Sequence, residues 1–163
     1  MKPVLVIACG EGKKRGVHPA NRLYTGSLWQ TYRKRREEQE GKNWSGKHPK
    51  LDVFVISARY GLVEETMPIA NYNHRLVRPE VEDLAEKVRE QVQRFHSRLR
   101  RNKVVFVGGK LYREVLEQAG LEVEDLAPGQ GIGDKRAALS KYLRTVGCGP
   151  FDLEAELEDL FGR

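Results

Sequence analysis

The stretch LDVFVISARYGL, residues 51–62, decides the fold class. Residues 52–57 form a nearly continuous apolar run that is too short for a helix, so they predict a strand buried on both faces. The runs VLVIAC at 4–9 and KVVFV at 103–107 repeat the same pattern. Strands of this kind belong to parallel sheets that helices cover on both sides.

Helical patterns alternate with these strands. Apolar residues spaced by three, four and seven between Val81 and Arg101 describe one helical face, and Pro79 suits a first turn. The other predicted helices begin near Ser27, span 110–119 before Gly120, and span 134–146 with Asp134 as the N-cap. This alternation predicts a three-layer, Rossmann-like α/β domain with a mainly parallel sheet.

The chain ends in an acidic segment that differs from the rest. We expect an α/β domain over 1–150 and an added amphipathic helix over 151–163, which holds five acids and one base. That helix is expected to pack on the domain's own surface; the alternatives are a homodimer contact or a cover over the basic face. The remaining 150 residues carry 28 Lys and Arg against 18 Asp and Glu, a net charge of +10.

A body this basic favours an anionic partner, here nucleic acid (DNA) or a nucleotide. The alternative is a thermostable protein with a solvated, charge-rich surface. No apolar run approaches the length of about 20 residues that a membrane span needs, and no leader peptide fits before Val4. The two cysteines and four histidines lack disulfide-framework or metal-ligand spacing. We therefore expect a cytoplasmic protein without a cofactor or metal.

Glycine and a polar group follow the carboxyl ends of all three strands, where α/β sheets bind ligands. These ends are Cys9-Gly10-Glu11-Gly12-Lys13, Ser57-Ala-Arg59-Tyr60-Gly61 and Gly108-Gly109. The first lacks the complete phosphate-loop pattern, which argues against an NTPase. Cys9 itself is expected to be a small buried residue rather than a nucleophile. The glycines at 129–133 precede a helix, so they either bind an anion or only allow a sharp turn.

Several of these motifs occur in a recognisable order. Cys9 followed by lysines, RLYTGSLW at 22–29, SARYGL at 57–62, Tyr72 with Leu76, and Gly131-Ile-Gly133 with Arg136 resemble a domain family of unassigned function. Its signature is a strand ending S-A-x-Y-G-L, and the likeness covers about residues 3–145. The family is similar in turn to the YaaA-type peroxide-stress proteins, which are associated with DNA binding. It is more distantly similar to domains attached to tRNA-guanine transglycosylases.

The resemblance implies that Ser57, Arg59 and Tyr60 point out of the sheet edge. A loop over 63–76 would then fold back and bring Tyr72 and Arg75 to the same crevice. Such a constellation offers stacking faces, hydrogen-bond donors and cations, which suits a nucleobase and its phosphate.

Three functions compete on this basis. The first is an N-glycosidase of the DNA-glycosylase type, which needs a carboxylate near a flipped base; Glu11 is the best candidate, followed by Glu64 and Asp134. The others are a DNA-binding stress or defence protein without chemistry and a nucleotide sensor. The predicted catalytic residues are Glu11, Tyr60 and Arg59. The predicted substrate-binding residues are Cys9, Gly10, Lys13, Tyr24, Ser57, Gly61, Tyr72, Arg75, Gly108, Gly109, Gly131, Gly133 and Arg136.

Overall fold

The first strand, β1 (Val4–Ala8), runs through the centre of the sheet, and all five of its residues are buried. The structure is a computed structural model that describes residues 2–148. The other strands are β2 (Val17–Pro19), β3 (Asp52–Ser57), β4 (Gly61–Glu64), β5 (Pro68–Ala70), β6 (Val104–Val107) and β7 (Val123–Asp125). Five of them form one sheet in the order β4-β3-β1-β6-β7, and β2 pairs with β5 in a small second sheet.

The main sheet is parallel except at one edge. β1 pairs in parallel with β3 and β6, and β6 pairs in parallel with β7, whereas β4 runs antiparallel to β3. Val6 lies opposite both Phe54 and Phe106, so the centre of the sheet is apolar across three strands. The continuous apolar runs of the sequence therefore belong to strands that are buried on both faces.

Helices cover both faces of the sheet. The helices are α1 (Ala20–Leu23), α2 (Ser27–Glu40), α3 (Val81–Arg94), α4 (Lys110–Gln118) and α5 (Ile132–Leu143). Leu5 and Ile7 point to the core beneath α1, α2 and α5, and Val4 and Val6 point to the core beneath α3 and α4. The predicted three-layer, Rossmann-like arrangement with a mainly parallel sheet is confirmed. The predicted acidic helix over 151–163 lies outside the described residues.

Within residues 2–148, none of the helices combines the length and the apolar character that crossing a bilayer requires.

Two helix boundaries differ from those predicted. The helix that begins at Val81 ends at Arg94 instead of Arg101, because the apolar position Phe95 is 71% exposed and leaves the buried face. A short 3-10 turn follows over Ser97–Arg100. The last helix begins at Ile132 with Gly131 as its N-cap, so the prediction of Asp134 as N-cap is wrong. Asp134 lies in the first turn, where a carboxylate still favours the positive helix end.

The segment after the signature strand is not a plain loop. β4 turns back antiparallel onto β3, and Gly61 makes this possible with a φ of +74°, a conformation that favours glycine. The Gln91 side chain closes the turn: its amide nitrogen donates to the Tyr60 carbonyl at 2.8 Å, and its oxygen accepts from the Leu62 N–H at 2.8 Å. The turn at the strand end is thus bound to α3.

Two residues of the basic run over 32–36, Tyr32 and Arg36, are fully buried. Both contact Glu65, which is 1% exposed. The Oε1 atom of Glu65 accepts hydrogen bonds from the Tyr32 hydroxyl at 2.5 Å, from Asn21 at 3.0 Å and from Arg36 at 3.1 Å. Its Oε2 atom accepts the His48 backbone N–H at 2.9 Å. One buried carboxylate therefore binds α1, α2 and the loop over 41–50 together.

Arg36 also contacts groups outside this carboxylate. Its guanidinium binds Glu40 at 2.6 Å and donates to the Gly46 carbonyl at 2.7 Å. It lies 4.1 Å from the centre of the Trp44 ring, and Arg22 lies 3.7 Å from the same ring. These contacts hold the loop over 41–50 against α2. Because the same loop also contacts Arg22 of α1, it helps to hold α2 in position.

We predict that Glu65→Gln lowers the free energy of unfolding by about 3 kcal/mol, measured by urea denaturation. All four partners of Glu65 donate hydrogen bonds, so an amide at this position must place its own donors against another donor. The matched control is Glu40→Gln, which removes a carboxylate from the same arginine at a site that is 24% exposed. The control is expected to cost about 1 kcal/mol. An equal loss in the two variants would contradict a central role for Glu65.

Candidate functional site

A crevice of about 300 Å³ opens where β1 and β6 end at the carboxyl edge of the sheet. Cys9 and Gly10 line it directly after β1, and Gly108 and Gly109 line it directly after β6. The remaining walls come from the first turns of α2 and α5 and from α4. We refer to this space as the crevice. Its position is the one at which doubly wound α/β sheets bind their ligands.

Three helices begin at the crevice. The N-caps of α2, α4 and α5 are Gly26, Gly109 and Gly131, and none of these helices has a side-chain hydrogen bond at its N-cap. The first backbone N–H groups of a helix lack partners within the helix, and the helix dipole adds partial positive charge there. The glycines also keep side chains away from these groups. The crevice therefore offers an anion several backbone donors at once.

The side chains of the crevice are apolar or neutral except for one cation. Lys135 is the cation, and its ammonium also donates to the Ala127 carbonyl at 3.3 Å. The Cys9 thiol donates to the Tyr112 hydroxyl at 3.1 Å, and the Trp29 indole donates to the Ala8 carbonyl at 3.2 Å. Among the described residues, no carboxylate lines the crevice.

Three tyrosines fill the space behind Cys9, at the end of β3. We call Tyr24, Tyr60 and Tyr72 the tyrosine cluster. The Tyr72 hydroxyl accepts a hydrogen bond from Ser57 at 2.7 Å and shares another with Tyr24 at 2.9 Å. The Tyr72 ring meets Tyr24 and Tyr60 edge to face, with ring centres 6.4 and 5.4 Å apart. The end of β3 is therefore closed by packed side chains and does not contribute to the crevice walls.

Burial, and then the neighbouring Cys9, raise the pKa of Tyr72 and of Tyr112 far above the ordinary value for tyrosine. Burial also raises the pKa of Tyr24. All three hydroxyls therefore stay protonated at neutral pH and act as hydrogen-bonding groups rather than as bases. The Lys13 ammonium lies 4.3 Å from the Tyr72 ring centre, where it covers the outer face of the cluster.

The charged residues predicted for the site lie on its exposed rim. Glu11 and Arg75 approach each other at 3.5 Å, with 78% and 82% of their side chains exposed. Arg59 is also exposed, and its guanidinium lies 5.7 Å from the Tyr60 ring centre. The contact between Glu11 and Arg75 brings the segment after β1 and the segment after β5 together.

The comparisons with known proteins show the family of the chain and leave its activity open. A family described as a family of unknown function (DUF6884) matches residues 4–141. The chain belongs to this family. It also resembles the crystal structure of AF0587, a protein of unknown function, with 19% sequence identity and a TM-score of 0.49. That match covers 98% of this chain and 52% of the other, so this chain spans about half the length of that structure. No curated protein matches the chain.

For this family member, the structure divides the predicted site residues into four groups. Cys9, Gly10, Gly108 and Gly109 line the crevice. Tyr24, Ser57, Tyr60, Gly61 and Tyr72 lie in or beside the tyrosine cluster. Glu11, Lys13, Arg59 and Arg75 lie on the rim. Gly131 caps α5, while Gly133 and Arg136 line a separate depression between α2 and α5.

The expected orientation of two residues is wrong. Ser57 is fully buried and does not point out of the sheet edge, since its hydroxyl contacts Tyr72 and accepts the backbone N–H groups of Arg59 and Tyr60. Tyr72 is 9% exposed and turns its hydroxyl inward, so neither ring face is open for stacking on a base. Two weaker candidates also lie elsewhere: Glu64 binds Arg98 at 2.9 Å, and Asp134 is exposed outside the crevice. A binding role for Ser57 and Tyr72 stays a prediction.

The prediction omitted several residues that line the crevice: Gly26, Ser27, Leu28, Trp29, Tyr112, Ile132 and Lys135. A signal for the first four was present, since the T-G-S-L-W element combines a helix start with a motif of the family. Lys135 had no such signal. It is one of several basic residues around α5, and only the packing of that helix shows which of them faces the crevice.

We predict that Tyr72→Phe lowers the free energy of unfolding by about 1–3 kcal/mol, because it leaves the buried hydroxyls of Ser57 and Tyr24 without this partner. The control is Tyr60→Phe, whose hydroxyl makes an exposed bond of 3.2 Å to the Ala70 carbonyl. We expect the control to change stability by less than about 0.5 kcal/mol. Thermal and urea denaturation measure both variants. A Tyr72 variant as stable as the wild type would contradict this structural role and would favour a Tyr72 side chain that contacts a ligand.

Proposed function

We propose that the crevice binds a nucleotide through its phosphate. The observation that carries this proposal is the convergence of three helix starts, all capped by glycine and without side-chain caps, on one space. Backbone N–H groups and helix dipoles favour phosphate, and Lys135 adds a full positive charge. The lack of a carboxylate among the lining residues leaves this charge uncompensated within the crevice.

The size and the apolar walls favour a nucleotide over a bare phosphate ion. A volume of about 300 Å³ is at the lower end of the range for small-molecule sites, which suits one nucleotide rather than a dinucleotide. Leu28, Trp29 and Ile132 supply apolar surface beside the helix starts. A flat base can lie against such surface while the phosphate faces the backbone donors.

The reaction that we propose for this site is hydrolysis of an N-glycosidic bond. Water would add to the anomeric carbon, the bond from that carbon to the base nitrogen would break, and the base would leave with a proton. Glu11 is the carboxylate best placed to take the proton from water, because it follows Gly10, a residue of the crevice wall. Its carboxylate lies 3.5 Å from the Arg75 guanidinium on the exposed rim.

A second candidate function is nucleic-acid binding without chemistry, as the similarity to the YaaA-type proteins implies. The charge favours it: outside the last 13 residues the chain carries a net +10. If the crevice binds a nucleotide but does not hydrolyse it, the first proposal becomes a nucleotide sensor. The remoter likeness to the transglycosylase-attached domains is compatible with any of these functions.

We predict that nucleoside monophosphates bind more tightly than the matching nucleosides, and that Lys135→Ala reduces this affinity by about 10- to 100-fold. The physical reason is the loss of one charge-assisted hydrogen bond to phosphate. Isothermal titration calorimetry with a panel of both ligand classes measures the effect. The control is Lys42→Ala, which removes an exposed lysine from the loop over 41–50, away from the crevice. Equal binding of nucleosides and nucleotides, or equal losses in the two variants, would contradict the proposal.

We also predict that Glu11→Gln abolishes base release while nucleotide affinity stays within about threefold of wild type, since an amide cannot take up the proton. The assay incubates the protein with nucleotides and with DNA that carries normal, damaged and hypermodified bases, and detects free base by mass spectrometry. Glu64→Gln is the control, because Glu64 is paired with Arg98 away from the crevice. Turnover that persists in the Glu11 variant would exclude Glu11 as the catalytic carboxylate.

A further inference from the structure

A basic groove lies beside the crevice, between α2 and α5. Two adjoining depressions of about 280 and 520 Å³ share Arg35, Ala137 and Ser140 in their walls. Their cations are Lys34, Arg35, Arg136, Lys141 and Arg144. We call this surface the basic groove. We infer that the basic groove binds the phosphodiester backbone of a nucleic-acid strand.

The charge of the basic groove is largely uncompensated. Among residues 2–148, Lys34, Arg136, Lys141 and Arg144 form no ion pair with a carboxylate, and only Arg35 is paired, with Glu38. Within the same described range, no Asp or Glu lines either depression; Asp134 lies nearby in the first turn of α5. Several unpaired cations concentrated on one surface repel one another, and a bound polyanion relieves that repulsion.

The shape of the basic groove suits a backbone. Gly133, Ala137 and Ser140 are small residues on the α5 side, so a strand can approach the helix closely between the longer basic side chains. Ser140 supplies a hydroxyl group, which commonly donates to phosphate oxygens, whereas the hydroxyls of Thr31 and Thr145 already donate to helix carbonyls. From Arg136 to Arg144 the helix axis rises about 12 Å. That length suits contacts with several successive phosphates.

The lining also distinguishes a nucleic acid from other acidic partners. Ala137 is the only purely apolar side chain in the two depressions, within the part of the chain that the structure describes. Protein partners usually bind through apolar or aromatic anchor residues, and membrane surfaces require an apolar helix face. Interfaces with nucleic acids are instead polar and strongly positive. The basic groove matches this last class.

The basic groove and the crevice are separate spaces that lie next to each other at the start of α5. Ile132 and Lys135 in the first turn of α5 line the crevice, while Gly133 and Arg136 in the same turn line the basic groove. A strand that follows the basic groove would therefore reach the crevice at the start of α5. This inference goes beyond nucleotide binding in the crevice and does not depend on it.

The test is fluorescence anisotropy with a labelled single-stranded oligonucleotide, titrated with the full chain at several salt concentrations. We expect the triple variant Lys34→Gln, Lys141→Gln and Arg144→Gln to lower affinity by about 10- to 100-fold. It should also reduce the magnitude of the slope of log affinity against log salt by about 2, because three phosphate contacts on a single strand are lost. Circular dichroism verifies that the variant is folded.

The matched control is the triple variant Arg94→Gln, Arg100→Gln and Arg101→Gln, which removes the same charge from exposed positions on and after α3. We expect it to bind the oligonucleotide within about threefold of wild type. Equal losses in the two triple variants, no binding of the oligonucleotide at low salt, or equally effective displacement by polyglutamate of matched charge would each overturn the inference. Nucleoside monophosphate titrations of the same variants test the crevice separately, so failure of one proposal is distinguishable from failure of the other.

Discussion

The buried carboxylate of Glu65 is the constraint on which one side of the molecule depends. An ionised group can remain in the interior only if donors surround it, and Glu65 obtains them from α1, α2 and the loop over 41–50. The position of α2 on the sheet follows from this requirement, because Tyr32 and Arg36 must reach the same atoms. The start of α2, one turn before Tyr32, is thereby held against the end of β1. The geometry of the crevice therefore depends on the buried carboxylate of Glu65, which positions α2.

The strand ends at the carboxyl edge of the sheet are of two kinds, one filled by side chains and one left open. At β3, aromatic rings and hydroxyls occupy the space, and hydrogen bonds among Ser57, Tyr24 and Tyr72 satisfy every hydroxyl that they bury. At β1 and β6, glycines follow the strands and leave the space open. Both kinds of strand end are rich in groups that can bind ligands, but only the ends of β1 and β6 leave space for a ligand. Amino-acid composition alone therefore does not distinguish an open ligand site from a strand end that packed side chains fill.

The sequence predicted the sheet and most helices because their signals are local. Short apolar runs defined β1, β3 and β6, and the spacing from Val81 to Val92 defined α3. Failures arose where the outcome depends on distant residues. The burial of Arg36 could not be predicted, because its partner Glu65 lies 29 positions away in sequence. Tyr72 looked available for stacking because nothing near it in sequence shows that Tyr24, Tyr60 and Lys13 surround its ring. The three convergent helix starts depend on how α2, α4 and α5 pack, so no single motif could predict them.

The two tryptophans of the chain belong to one core cluster but have different polar neighbours, and this difference has an optical consequence. Trp29 forms part of the crevice wall, whereas the ring of Trp44 lies 3.7 and 4.1 Å from the guanidinium groups of Arg22 and Arg36. Their indole emission therefore responds to different events. A ligand that enters the crevice directly contacts Trp29, and loosening of the 41–50 loop directly alters the surroundings of Trp44. Trp29 fluorescence therefore reports on ligand binding in the crevice, and Trp44 fluorescence reports on the packing of the 41–50 loop.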